Sequence, residues 1–227
     1  MHFLCKSIQD LIPIVLVRAN EDTLNRFNNL LCFHTTKLYK FSPMPYIPLK
    51  ENLPGITGLL DYRKDTALPI RQLTQILLRG ESTLTEGERE LIATVVSYGN
   101  ECTFCTAAHK AASNLLMDDP MVAEKVLVDP EGAPVSDKMK ALLDIARAVQ
   151  KNGRLVTPAM VEKARAGGAT DLELHDTVLI AALFSLYNRY VDGLASVAPS
   201  EPAFYDRLGH ILLEKGYLPS PDRYKEL

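Results

Sequence analysis

The chain has 227 residues, 28 acidic and 25 basic side chains and a net charge of −3, so it carries no electrostatic footprint for nucleic acid. Trp is absent and aromatics are sparse, which excludes a base-stacking surface, and four cysteines are too few for a disulfide-built secreted scaffold of this size. No run approaches the roughly 20 apolar residues that span a bilayer, so the expectation is a cytoplasmic protein with no membrane partner, long enough to bury a core of its own.

Residues 1–43 differ in character from the rest of the chain. Their short apolar core, Leu11 to Val17, is preceded by Asp10 and a thin basic region, which does not fit an export signal and reads as a short strand or helix. Cys32 and His34 cluster there by chance spacing rather than as a metal site. Met44 follows Pro43 and is a candidate start, so residues 1–43 are read as an N-terminal extension to an all-helical domain over 44–227. Mass spectrometry of the native N-terminus tests that boundary.

Pro43, Pro45, Pro48 and Pro54 make the next stretch an extended lead-in, because proline cannot sit inside a helix. Leu68 to Arg79 reads as a helix, with Pro69 in its first turn and Gly80 after its end. Thr85 to Glu88 is a capping box that opens a helix carrying Leu91, Ile92, Val95 and Val96 to the core. That helix is expected to stop near Gly99-Asn100, residues that tolerate the left-handed conformation, and a second to run from about Glu101 to Met117. Further helices are expected over Ser136 to Lys151, after the Thr157-Pro158 cap, from Thr170 or Asp171 through Leu194, and over Pro202 to Lys215. Alternating strand patterns are nearly absent, so the fold class is all-α.

The chemistry gathers in "GERELIATVVSYGNECTFCTAAHKAA". On one α-helix, the offsets of Cys102, Cys105 and His109 place all three within about 60° of one face. The cysteines fall near the helix start, where unpaired N–H groups and the dipole favour a thiolate and a depressed thiol pKa is expected. C-x-x-C spacing also permits a disulfide across one turn. Glu90 lies on the polar side of the preceding helix with Thr94 and Ser97, and a hairpin would turn it toward the cysteines. A carboxylate beside a histidine can accept and return the proton that thiol activation needs.

Other uses of this set remain open. Zinc could take the two cysteines, His109 and Glu90, although structural zinc sites usually draw ligands from separate elements. A c-type haem needs histidine directly after the second cysteine, where Thr106 stands, and a thioredoxin-like motif needs a βαβ setting that is missing. The simplest use is two buried cysteines acting as small apolar residues.

The combined pattern E-x11-C-x2-C-x3-H, here Glu90, Cys102, Cys105 and His109, resembles the AhpD-like alkyl hydroperoxidases of the carboxymuconolactone decarboxylase superfamily. The flanks of this motif, with "PLKENLPGITGLL" and "LYNRYVDGLAS", are similar to the uncharacterised peroxidase-related subgroup, over roughly Met44 to Gly216. The resemblance implies an AhpD-like helical bundle assembled into homo-oligomers, trimers or hexamers, with no bound cofactor or metal. It implies reduction of a hydroperoxide substrate by Cys105 as peroxidatic thiolate, with Cys102 resolving the sulfenic acid to a disulfide. It makes Glu90 and His109 a proton relay and calls for an external dithiol or protein reductant. The better-known members carry a histidine before the second cysteine, where this chain has Phe104, a departure that bears on peroxidase rate and electron donor. The decarboxylase branch lacks the cysteine pair, which argues against lactone decarboxylation. Two rivals stand beside the peroxidase: a thiol–disulfide oxidoreductase with little peroxidase activity, and a non-catalytic zinc-binding helical module.

The remaining polar residues take plainer expectations. His175 beside Asp176 belongs on a solvated helix face. Arg189 and Asp192, in the block with Asn188, are expected as a buried pair that fixes helix packing or a subunit contact, with a substrate-pocket role second. Tyr187, Tyr190, Phe184 and Leu183 read as core or interface.

Overall fold

A computed structural model describes residues 44–220 and 224–225, and the readings of residues 1–43, with Cys32 and His34, lie outside them. Among the described residues every regular element is helical, in accord with the expected class. The helices are α1 (Ile56–Tyr62), α2 (Lys64–Arg79), α3 (Glu86–Gly99), α4 (Thr103–Leu116), α5 (Val122–Val128), α6 (Asp137–Lys151), α7 (Pro158–Ala166), α8 (Asp171–Gly193) and α9 (Pro202–Lys215), with a 3₁₀ turn at Gly153–Leu155.

Local chemistry sets most of the boundaries. At the start of α3, Thr85 accepts from the Glu88 N–H while the Glu88 side chain accepts from the Thr85 N–H. Thr170 and Glu173 repeat this box at the start of α8. Ser136 and Thr157 cap α6 and α7, and Pro158 occupies the first turn of α7, where its missing N–H costs nothing.

Three expectations are corrected. Helix α2 begins at Lys64 rather than Leu68, so Pro69 lies inside it and forfeits one backbone bond. Residues 56–62 form α1 instead of continuing the extended lead-in, because Gly55 turns the chain at φ 60° once the prolines end. Residues 122–128, for which the sequence pattern suggests no element, form α5, which buries Val122, Ala123 and Val126.

Helix α3 is the hub. It packs against α4, α6 and α8, and α4 packs in turn against α9. Leu91, Ile92, Val95 and Val96 are in the core as expected, but the polar side of α3 is buried as deeply: Glu90, Thr94 and Ser97 have no exposed surface. A helix sunk on both faces has little choice but to make its polar side a site, because each buried polar group needs a partner. Gly87 lets α3 and α4 close up, since a Cβ there would lie 2.5 Å from Met117 Cγ.

Candidate active site

The α3–α4 junction places the cysteines. The N–H of Glu101 bonds the Tyr98 carbonyl at 2.9 Å and that of Cys102 bonds the Ser97 carbonyl at 3.1 Å, the paired bonds of a Schellman closure. The left-handed residue is Glu101, φ 60°, and not Gly99 or Asn100 as expected; Asn100 sits at φ −85°. Cys102 therefore ends one helix and begins the next: it is the N-cap of α4, and its carbonyl accepts from both the N–H and the hydroxyl of Thr106. The second helix accordingly begins at Thr103 and not at Glu101.

Cys102 and Cys105 are both free thiols and both buried. The expected depression of the thiol pKa is not what the surroundings of Cys105 produce. The Cys102 side chain beside it and its own burial push the Cys105 thiol well above the usual range, against a smaller downward pull from the Asn188 amide. Deep burial outweighs the dipole of the helix start.

Glu90 and His109 meet across the α3–α4 hairpin. Glu90 Oε2 lies 2.6 Å from His109 Nδ1. The other oxygen, Oε1, takes an ion pair from Arg79 Nη2 at 2.6 Å and a hydrogen bond from the Tyr217 hydroxyl at 2.5 Å. Burial alone would raise the Glu90 carboxyl; His109, Arg79 and Tyr217 together hold it below the usual carboxylate range. An ionised carboxylate can only accept, so the proton between the two groups belongs on Nδ1, and it is Nε2 that carries the lone pair whenever the ring is neutral. Nε2 makes no hydrogen bond among the described residues, so Glu90 orients a ring whose basic atom is unengaged.

Arg79 and Tyr217 belong to this site, and the sequence motif does not reach them. The sequence pattern makes Arg79 the end of a helix and no more, and the resemblance stops at Gly216, one residue short. Tyr217 is held on every side. Its N–H bonds Gln75 Oε1, its carbonyl accepts from Arg71, and its ring lies 5.1 Å from the Arg79 guanidinium and stacks near His109 with an interplanar angle of 12°. Gly216, at φ 56°, makes the turn that delivers it: a Cβ there would meet Gln75 Oε1 at 2.5 Å. Burial, then the charge of Glu90, pushes the Tyr217 hydroxyl well above its ordinary pKa, so it stays a donor. The one local signal for it is the glycine itself, a left-handed stop followed at once by a large aromatic.

Cys105 and His109 line the same cavity, of about 50 Å³. Phe104, Phe184, Leu208 and Leu212 supply apolar wall, and the His109 ring stands edge-on to Phe184 at 4.4 Å. Phe104 is locked in place: its ring covers Gly55, where a Cβ would come within 2.3 Å, and it packs against Phe204 and Tyr205.

The remaining expectations divide. Arg189 and Asp192 form no buried pair; both are exposed, and Arg189 Nη1 bonds the Ser185 carbonyl of its own helix. Their spacing suits a contact along a helix, but Arg189 faces solvent, while partial burial raises the Asp192 carboxyl above the usual range against a smaller downward pull from the Cys102 side chain. Asn188 is the buried member, donating to Ser97 Oγ and accepting from Asn100, which ties α8 to the junction beneath the cysteines. His175 is on a solvated face, beside Asp176, and Tyr187, Phe184 and Leu183 are core. Among the described residues no three His, Cys, Asp or Glu side chains converge as a metal-binding group, and no helix is long and apolar enough to cross a membrane.

No family model matches the sequence, and no curated protein matches it. Solved structures do. The alkylhydroperoxidase AhpD core of an uncharacterized peroxidase-related protein from Ralstonia eutropha JMP134 superimposes with a TM-score of 0.65 at 26% identity, over 74% of this chain and 97% of that one. An uncharacterized peroxidase-related protein from Silicibacter sp. TM1040 gives 0.61 at 27% identity, over 67% of this chain and 78% of that one. ATU0492 from Agrobacterium tumefaciens, a protein of unknown function, gives 0.54 at 20% identity, over 63% of this chain and 97% of that one, which bears on the fold alone.

Proposed function

We propose that this chain, whose helical fold is AhpD-like and similar to that of peroxidase-related proteins, reduces hydroperoxides with its cysteine pair. The observation that carries the reading is the buried Glu90–His109 pair, with the unengaged Nε2 on a ring that shares a cavity with Cys105.

Atoms and electrons balance through the cycle. His109 Nε2 takes the Cys105 proton as the thiolate attacks the outer oxygen of ROOH. The O–O bond breaks, the alkoxide recovers the proton from the imidazolium and leaves as ROH, and Cys105 becomes a sulfenic acid. The Cys102 thiol attacks that sulfur, water leaves, and a disulfide remains. An external dithiol, through two exchanges, returns both thiols and departs as its own disulfide. Glu90 holds the ring and its tautomer and stabilises the imidazolium, the role of the acid in any acid–histidine–nucleophile triad. A base at this position is needed because the raised Cys105 pKa leaves little thiolate to begin with.

We further propose that the protein works as a homo-oligomer, trimer or hexamer. Helix α2 presents Leu68, Leu73 and Ile76 to solvent, apolar surface suited to a subunit contact. Light scattering on the purified protein tests this, and a monomer at micromolar concentration refutes it.

Stopped-flow mixing of reduced protein with hydrogen peroxide and with an organic hydroperoxide tests the activity. The expected result is loss of the Cys102 and Cys105 thiols with formation of their disulfide, abolished in Cys105→Ser. A second reading, a thiol–disulfide oxidoreductase with little peroxidase activity, draws on the apolar Phe104 and the raised thiol. It predicts rapid exchange with an oxidised dithiol and thiols left intact by peroxide. The zinc-binding module draws no support from the geometry, since both Glu90 oxygens already accept from donors within the chain: His109 at Oε2, Arg79 and Tyr217 at Oε1.

A further inference from the structure

Arg71, on α2, lines two cavities at once: the small one that reaches Cys105 and His109, and a wide outer groove of about 620 Å³. Its guanidinium is half-buried, and its hydrogen bonds go to two neutral groups, the Tyr217 carbonyl at 3.2 Å and the Tyr224 hydroxyl at 3.1 Å. No carboxylate forms an ion pair with it among the described residues. Asp61 feels its charge through space without bonding it. Holding a partly buried cation with no direct ion pair is costly, so an arginine kept this way beside a reactive pocket is placed for an anion that arrives with a ligand. Lys50 and Lys64 line the same groove and share one acid, Asp61, at 2.7 and 3.8 Å. Among the described residues four cations, Arg71, Lys50, Lys64 and Lys225, line the groove against one carboxylate, Asp61, in a chain whose net charge is −3.

The walls between are apolar. Leu60 lines both cavities, and Ile56, Phe184, Leu208 and Leu212 line the inner one. The inner space admits little more than a peroxide group and the carbon that bears it, while the outer volume suits a drug-sized body.

We infer that the cavity and groove together form one binding site for an amphiphilic anion: an apolar body carrying a carboxylate, with the carboxylate paired to Arg71 in the field of Lys64 and Lys50. This rests on the peroxidase reading for one point only, that the ligand's other end is a hydroperoxide directed at Cys105. The substrate class is then an organic hydroperoxide bearing a carboxylate, in preference to hydrogen peroxide or a neutral alkyl hydroperoxide.

A matched pair isolates the charge. Reduced protein is mixed with cumene hydroperoxide and with its 4-carboxy derivative, and the ratio of thiol-oxidation rates is read. A ratio of about ten or more in favour of the acid is expected, falling toward one in Arg71→Gln, partly restored in Arg71→Lys and reduced by salt. Lys64→Gln, on the solvated rim, lowers it less. A ratio near one in the unaltered protein, or a ratio that Arg71→Gln does not change, overturns the inference. A second arm needs no peroxide. 4-Isopropylbenzoate and 4-isopropylbenzyl alcohol are compared for protection of Cys105 against iodoacetamide. The acid is expected to protect at about tenfold lower concentration, in an Arg71-dependent way, and equal protection overturns the site. If the acid protects while no peroxide consumes the thiols, the anion site stands and the peroxidase reading falls.

Discussion

The two ends of the site are built on opposite principles. At the Glu90 end a full charge is buried and every lone pair that matters has a donor: Arg79, Tyr217 and His109. At the cysteine end nothing charged neutralises a thiolate; Phe104, Phe184 and the helix interior surround Cys105, and its thiol is driven up by Cys102 and by burial. One end stores a negative charge permanently, and the other resists acquiring one. His109 bonds the one end and shares a cavity with the other, and under the proposed function it moves a proton from the resisting end while the stored charge stabilises the result. The difference explains why burial, which would be ruinous for an unpaired carboxylate, is tolerated by a thiol that stays neutral until it reacts.

The comparison breaks most severely if the stored charge loses its partner. Arg79→Leu leaves Glu90 buried with only neutral donors, and is expected to cost about 3–5 kcal/mol in urea unfolding. A cost below about 1 kcal/mol would show that His109 and Tyr217 suffice. Glu90→Gln removes the charge that orients His109 and is expected to slow thiol oxidation by peroxide on the order of a hundredfold, while the helical circular dichroism persists. Unchanged kinetics would remove Glu90 from the chemistry.

Two smaller effects sharpen the contrast through pH and strain. Glu90 has a lowered pKa, so its share of stability is present above the ordinary carboxylate range and is lost as pH falls through the folded value. Cys105 has a raised pKa, so the unfolded thiol ionises first on the alkaline side. Its share is present below the ordinary thiol range, near about 8.5, and is lost as pH rises through the folded value. Denaturation at alkaline pH should therefore be less steeply pH-dependent in Cys105→Ala than in the unaltered protein; parallel curves would contradict the raised thiol. Smallest is Glu101→Gly at φ 60°, which relieves a left-handed side chain and is expected to stabilise by about 0.5 kcal/mol, less than the full conformational relief because glycine also loosens the unfolded chain. A loss of stability would mean that the Glu101 side chain contributes at the junction.

Much of the helical fold was legible in short stretches. The boxes at Thr85 and Thr170, the caps at Ser136 and Thr157 and the stop at Gly216 act within three or four residues, so local pattern sufficed to locate them. The helices missed, α1 and α5, have seven residues each, too short for a period to declare itself. Glu90, Cys102, Cys105 and His109 could be named as candidates from their spacing, and the structure brings Glu90 and His109 together across one hairpin, while their role in a reaction stays with the proposed function.

What the amino-acid order determined by itself, then, is what neighbours within a turn or two can dictate: which segments coil, where they stop, and that Cys105 and His109 lie one turn apart on the same helix, whereas Cys102, expected on its face, is its N-cap. Tertiary structure alone decided the rest. Tyr217 reaches Glu90 across 127 positions and Arg71 reaches Tyr224 across 153, and no periodicity encodes a contact at that range. It also decided against the Arg189–Asp192 pair and against a low Cys105 pKa, because solvent exposure and burial belong to the packed molecule and have no local signature in the chain.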